Sequence, residues 1–194
     1  MTPFAVLRHA PTAWNEARRL QGRSDPTLSP RGRAAAHRWV LPEEVAGFRW
    51  LVSPLRRATE TAECLSLTTV VEPALIEMAW GDWEGRTLAD LRAADPAGMA
   101  TIEACGLDLT PPGGESPHLV QARLLPLLAR LAAEGLPTGA VTHKGVLRAL
   151  LALATGWDMR NDPPVKLRPA TLHLFDLAAD GMPRLVQANL ALAR

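Results

Sequence analysis

Three short apolar runs in this chain each break off into a polar cluster, and that repeated punctuation limits the possible folds more than any other feature. Phe4-Ala-Val-Leu7 ends in Arg8-His9. Trp50-Leu-Val52 ends in Ser53-Pro54 and an Arg56-Arg57 pair, and Ala140-Val141 ends in Thr142-His143-Lys144. The second and third runs lead into helical patterns over 54–66 and 145–155, with Ser53 as an N-cap and Pro54 as the first helical residue. Strand followed by helix is the grammar of an α/β sheet. In open parallel sheets, ligands sit outside the carboxyl ends of the strands. The three clusters are therefore expected to meet on one sheet edge, in an α/β fold with a mostly parallel central sheet flanked by helices.

The remaining pattern is coarser. A helix is expected after Ser29-Pro30, running to about Leu41, and Thr69-Val-Val71 reads as a short strand. Residues 75–86 read as irregular, and Thr87 caps a helix that stops before Asp95-Pro96. An amphipathic helix over 117–133 ends at Gly135. Leu172 to Leu177 and Leu185 to Leu190, joined through Asp180-Gly181, read as a terminal hairpin. No repeat or low-complexity stretch marks a boundary. One domain over 1–194 is expected, with about 77–116 forming a partial cap over the strand ends.

Composition removes several classes of partner. Lys plus Arg number 21 against 20 Asp plus Glu, so neither nucleic acid nor an anionic membrane is the expected partner, and any cationic site must be local. Lys144 and Lys166 are the chain's two lysines; arginine carries the rest of the positive charge, which reads as compositional bias. Cys64 and Cys105 fit neither a disulfide framework nor a metal-ligand pattern and are expected as buried structural thiols. The apolar stretch before Arg8 is too short for a signal-peptide core, and no run approaches the roughly 20 apolar residues of a membrane span. A cytoplasmic location is expected.

Phosphoryl transfer needs a nucleophile in line with phosphorus and cations around the equatorial oxygens. A neutral imidazole can be that nucleophile near neutral pH and can carry a covalent intermediate. Arginine binds phosphate with a planar fork and keeps its charge. Arg8-His9 offers both at a strand end, although a lone histidine is more often structural.

The surroundings of that dipeptide carry more. Leu7-Arg-His-Ala-Pro-Thr-Ala-Trp-Asn15 is followed by Arg19-Leu-Gln-Gly22, Asp25-Pro-Thr-Leu28 and Gly32. Further on come Ser53-Pro-Leu-Arg-Arg-Ala-Thr-Glu-Thr-Ala62, Glu77 with Trp80-Gly-Asp-Trp-Glu-Gly85, Pro112-Gly-Gly-Glu-Ser116 with Arg123, and Thr142-His-Lys-Gly-Val-Leu-Arg-Ala-Leu150. In this order, from residue 4 to about 155, these motifs resemble the histidine phosphatase superfamily, the group that includes the cofactor-dependent phosphoglycerate mutases and many small-molecule phosphatases.

The resemblance implies a phosphoglycerate mutase-like fold and a phosphatase acting on a small phosphate monoester. It implies His9 as the phosphorylated nucleophile, with Arg8, Arg57 and His143 holding the phosphoryl oxygens and Asn15 adding a neutral donor. Arg56 aligns with a variable position and is left out. Glu77 would protonate the leaving alkoxide and then take a proton from water, which asks for a raised pKa. Gln21 and Gly22 fall where substrate is often contacted. No metal or cofactor is implied, because cationic side chains take the place of Mg²⁺. Two alternatives stand beside this: phosphoglycerate mutase-type transfer, and a catalytically silent phosphate-binding protein.

Each residue also has an ordinary reading. Glu77 can be a solvated loop carboxylate, Arg57 a surface partner of Glu60, and His143 a helix cap. His37, His118 and His173 read as structural or exposed, Trp80 and Trp83 as core, and Gly113-Gly114 as a hinge. Two residues depart from the family pattern: Ala10 stands where glycine is usual, which threatens crowding, and Lys144 stands where a small residue is usual. Lys144 is expected to point to solvent, the alternative being attraction of a second anionic group. The physiological substrate and the oligomeric state are not legible in the sequence.

Overall fold

The computed structural model describes residues 1–193; Arg194, the last residue of the expected domain range, lies outside the described residues. In chain order the elements are β1 (Thr2–Arg8), α1 (Ala13–Glu16), α2 (Pro30–Ala36), β2 (Arg49–Val52), α3 (Arg56–Cys64), β3 (Thr69–Val71), α4 (Leu88–Ala94), α5 (Pro96–Glu103), α6 (Pro117–Glu134), β4 (Thr138–Thr142), α7 (Lys144–Thr155), β5 (Thr171–Leu177) and β6 (Pro183–Ala191). They build one six-stranded sheet in the order β3-β2-β4-β1-β5-β6. The β3, β2, β4 and β1 strands run parallel, and β5 and β6 close the sheet as an antiparallel hairpin.

Alternation along the strands explains the layers. Phe4 and Val6 of β1 face one way and join Val120, Leu124, Leu128 and Leu131 of α6 with Val146 and Leu150 of α7. Ala5 and Leu7 face the other way, onto Ala58 and Ala62 of α3 beside Trp50 and Val52. Both parities are apolar because helices cover both faces of a parallel sheet. Each buried Leu, Val or Phe side chain contributes about 1.5–3 kcal/mol.

Register fixes what leaves the sheet together. Arg8 pairs with Thr142 and Val52 with Val141. His9, Ser53 and His143 therefore follow the strands at nearly one level, and the ladder extends past their ends through His9 N–H to Thr142 O at 2.9 Å and Ser53 N–H to Val141 O at 3.0 Å. The three polar clusters do meet at one edge.

Several element bounds differ from expectation. The helix expected to reach Leu41 ends at Ala36, because Val40 is drawn into a two-bond bridge with Ala193. The helix expected from Pro54 begins at Arg56, capped by Leu55 without a side-chain bond. Ser53 Oγ accepts from His143 Nε2 at 2.6 Å and only weakly from Leu55 N–H at 3.4 Å, which lies ahead of the helix rather than in its first turn. Asp95 ends α4 and also accepts from Gly98 N–H at 2.9 Å, starting a further helix, α5, that the sequence reading did not contain. Cys105 is exposed rather than buried; only Cys64 is a buried thiol. Among the described residues, no helix is long and apolar enough to cross a membrane.

Gly139 lies in the middle of β4, and a Cβ there would fall 2.6 Å from the Trp50 indole. Overpacking of this kind costs about 1–3 kcal/mol. Gly139→Ala should lower the urea midpoint by that equivalent at unchanged slope; an unchanged midpoint would mean that Trp50 moves freely.

Candidate active site

His9 emerges from β1 nearly buried, at 5% exposure. Its Nδ1 lies 2.7 Å from the carbonyl oxygen of Ala10. A carbonyl can only accept, so Nδ1 carries the proton and Nε2 keeps its lone pair. Burial, and after it the charges of Arg8 and Arg57, hold the His9 imidazolium pKa well below its ordinary 6.5. The ring is thus neutral with a defined tautomer, and its free Nε2 lone pair has the chemistry a nucleophile needs.

Ala10 does not crowd this arrangement. It is fully buried, takes a standard backbone angle, and packs against Leu28, Ala36 and Cys64. Its N–H donates to the Thr61 hydroxyl at 2.9 Å, and that hydroxyl donates to Arg57 O at 2.6 Å. The turn after His9 is thereby tied to α3.

Arg57 is completely buried, so the surface pairing with Glu60 does not occur; Glu60 instead meets Arg33 at 2.8 Å. The guanidinium donates to Ser24 O at 2.8 Å, to Gly22 O at 2.7 Å, and through Nε to His143 Nδ1 at 3.2 Å. Arg56 is exposed, consistent with its exclusion. Gly22 holds φ +55°, and a Cβ there would strike the Glu84 carboxylate at 1.9 Å. Gly22 therefore serves through its carbonyl, as an anchor for Arg57, as well as lining the cavity.

His143 is fully buried with its ring centroid 5.2 Å from that of His9. Because Arg57 donates to Nδ1, the proton lies on Nε2 and points to Ser53 Oγ. Burial, then Arg57, keep its pKa well below 6.5. It makes no side-chain cap for α7. It backs the site through Arg57 rather than lining the open cavity.

Glu77 is 7% exposed, not a solvated loop carboxylate. Oε1 accepts from Met78 N–H at 2.9 Å and Gly145 N–H at 3.0 Å, while Oε2 has only a 3.3 Å contact with Gly145. Oε2 is thus the oxygen suited to carry a proton. Burial raises the Glu77 pKa above the usual 4.5, against the opposing pull of the backbone donors, Arg57 and Arg8. Arg123 fixes the turn before it, donating to the carbonyls of Ala74 and Ile76 while pairing with Glu115.

Arg8, His9, Asn15, Gln21, Gly22, Arg57 and Glu77 line one cavity of about 980 Å³, which Trp80, Trp83 and Lys144 also border. Thr12 sets the two amides: Asn15 Oδ1 accepts its N–H at 3.0 Å, and Gln21 Oε1 accepts its hydroxyl at 2.9 Å, leaving both NH₂ groups as available donors. Trp80 and Trp83 stack at 6.1 Å, and only Trp83 is fully in the core. Gly113 and Gly114 do not border the cavity. His37 contacts Cys64, His118 pairs with Asp108, and His173 is buried in the sheet, all away from the site.

Two contributors had no part in the site assigned from sequence, Ser53 having been read only as an N-cap. Ser53 orients His143, and only knowledge of the β2–β4 register could have revealed that. Glu84 accepts from the N–H groups of Arg23 and Ser24 at 2.8 and 2.7 Å and from the Ser24 hydroxyl at 2.6 Å, clamping the loop whose carbonyls hold Arg57. Burial alone would raise its pKa, but these donors with Trp80 N–H together hold it below the usual value.

The family model described as histidine phosphatase superfamily (branch 1) matches residues 4–191. Glucosyl-3-phosphoglycerate phosphatase of Mycobacterium tuberculosis is 37% identical, covering 82% of this chain and 78% of the relative. A bifunctional protein of the same organism is 32% identical over 93% of this chain, which spans only 51% of that longer relative's length. Among solved structures, a mycobacterial glucosyl-3-phosphoglycerate phosphatase in complex with inorganic phosphate superposes with a TM-score of 0.78 at 29% identity, covering 98% of each chain.

The histidines give stability a pH dependence. Folded His9 and His143 refuse protons that the unfolded chain binds below 6.5, and His173, lowered to about 4 by burial, does the same. Their contribution is present above 6.5 and is lost as pH falls. Glu77 has the opposite sign, since its folded form keeps a proton that the unfolded chain releases above 4.5. Three groups against one predict that unfolding free energy falls from pH 7 to about pH 5. His9→Gln should make that slope shallower by up to about 1.4 kcal/mol per pH unit; an identical slope in urea titrations would place the His9 pKa near its ordinary value. Glu84→Ala should speed amide exchange at Arg23 and Ser24 by about tenfold or more, the equivalent of one lost charge-assisted bond.

Proposed function

The chain belongs to the histidine phosphatase superfamily, and we propose that it hydrolyses a small phosphate monoester through a phosphohistidine on His9. The observation that carries this reading is the single cavity in which a neutral imidazole with a free Nε2 sits beside two arginines and a buried carboxyl. In the first step Nε2 of His9 attacks phosphorus and the P–O ester bond breaks. The leaving alkoxide takes the proton from Glu77. In the second step the Glu77 carboxylate takes a proton from water, whose oxygen attacks phosphorus; the P–N bond breaks, and inorganic phosphate leaves.

Arg8 and Arg57 hold the phosphoryl oxygens and stabilise charge that builds on them, with the amides of Asn15 and Gln21 as neutral donors. His143 accepts the Arg57 Nε–H and so acts on the phosphoryl group through that guanidinium. The fixed cations supply the charge that a metal would otherwise supply, so turnover should persist in EDTA. Residues 77–116 act as a partial cap: Trp80, Trp83, Leu88 and Leu109 from that stretch border the same cavity. One domain spanning the chain, and a cytoplasmic site of action, complete the reading; two free thiols, one of them exposed, suit a reducing compartment.

Brief mixing with a ³²P-labelled ester should leave acid-labile label on the wild-type chain and none on His9→Ala. Label that survives the substitution would overturn the assignment. Glu77→Gln should lower kcat by about 10²–10⁴-fold. The acid limb of kcat/KM should lie well below pH 6.5, where free His9 protonates, and the basic limb above 4.5, where Glu77 loses its proton. Accumulation of isomerised ester in place of inorganic phosphate would favour mutase-type transfer.

A further inference from the structure

A second cavity, of about 410 Å³, adjoins the His9 site. Five cations line it, Arg8, Lys144, Arg148, Lys166 and Arg168, against one carboxylate, Asp162. In a chain with 21 basic and 20 acidic residues, this is a marked local excess. Both of the chain's lysines are here, so their scarcity elsewhere is not the whole account of where they stand. Lys144 is exposed, as expected, but its exposure is at the rim of this cavity rather than on an outer face.

None of the five cations has an ion pair among the described residues. The buried Nε of Arg8 has no hydrogen-bond partner there either. Partial desolvation at the cavity rim, and then Arg8 and Arg148, press the Lys144 pKa down. A solvated basic face would spread such charges apart. Here they converge on a concavity whose size is that of a ligand pocket.

The wall carrying Lys166 and Arg168 is fastened in place. Asn189 of β6 holds φ +61° beside a register break between β5 and β6. Its side chain accepts from Arg168 N–H at 2.6 Å and donates to Lys166 O at 3.1 Å, and its own N–H donates to His173 Nδ1 at 3.2 Å. An asparagine tolerates this backbone region better than other non-glycine residues. A bulge beside a site is a common means of re-aiming it. The segment 166–168 is thereby pinned to the sheet.

The two cavities share Arg8, Lys144, Arg148 and Asp162. We propose that the smaller one is a second anion subsite, so that the preferred substrate is a phosphate monoester bearing a further carboxylate or phosphate. This rests on the proposed reaction only for the word substrate; the subsite itself is a matter of binding. Arginine forks and lysine ammonium groups suit either anion.

Calorimetric titration with n-propylphosphonate and 3-phosphonopropionate compares ligands that differ by a methyl against a carboxylate. 1,2-Ethylenediphosphonate supplies a second phosphonate in its place. At least one ligand with two anionic groups should bind about tenfold or more tightly than propylphosphonate, and the tighter of the two identifies the second group. In Lys166→Ala/Arg168→Ala, both exposed positions, the ratio should fall below about threefold. Equal affinities in the wild-type chain, a ratio that survives the double substitution, or no measurable binding of either ligand with two anionic groups would each overturn the subsite. Failure to trap label on His9 alongside a preserved ratio would remove the proposed reaction and leave the subsite standing.

Discussion

A fully buried guanidinium holds this site together. Arg57 has no exposed surface, and arginine does not escape burial by losing its proton. An isolated buried charge is costly enough that its surroundings must be built to receive it. Carbonyls of Gly22 and Ser24 and the Nδ1 of His143 provide three acceptors, and Asp25 stands 4.0 Å away. These partners come from the loop after α1 and from the end of β4, so one side chain on α3 couples separate parts of the chain. The Glu84 clamp and the left-handed turn at Gly22 follow from the need to aim those carbonyls inward.

The same charge sets the chemistry around it. Cations that attract a phosphate oxygen also repel a proton from a neighbouring imidazole. His9 is therefore kept neutral by burial and by Arg8 and Arg57, while its Nδ1–H is spent on Ala10 O. Those cations would ionise Glu77, yet its burial outweighs them and its pKa rises. One environment thus lowers the imidazole's pKa and raises the carboxyl's, pushing the two apart. The neighbouring basic cavity extends this field from Arg8 toward Lys166 and Arg168.

Much of this was legible because it followed from strand ends. Arg8-His9, Ser53 and Thr142-His143 each closed an apolar run, and parallel pairing brings such ends to one edge. Glu77, Asn15, Gln21 and Gly22 were reachable only through the motif resemblance, since they lie on α1 or in loops where periodicity says nothing. What escaped depends on tertiary register. Ser53 has the sequence of an N-cap, and nothing local says that a histidine 90 positions away takes its hydroxyl. α5 was missed because Asp95 both ends one helix and starts the next. Gly22 was read as a substrate contact, and its carbonyl proves to be an anchor for Arg57. Lys144 was expected to point to solvent, which is correct for its exposure and incomplete for its neighbours.

The protonation state of His9 is the point on which the account turns, and long-range ¹H–¹⁵N correlation spectra of the ligand-free protein read it directly. Between pH 6 and 8 the His9 ring should show a protonated, pyrrole-type Nδ1 and a pyridine-type Nε2, with shifts that do not titrate. An imidazolium pattern at pH 6, or a pyridine-type Nδ1, would contradict the account.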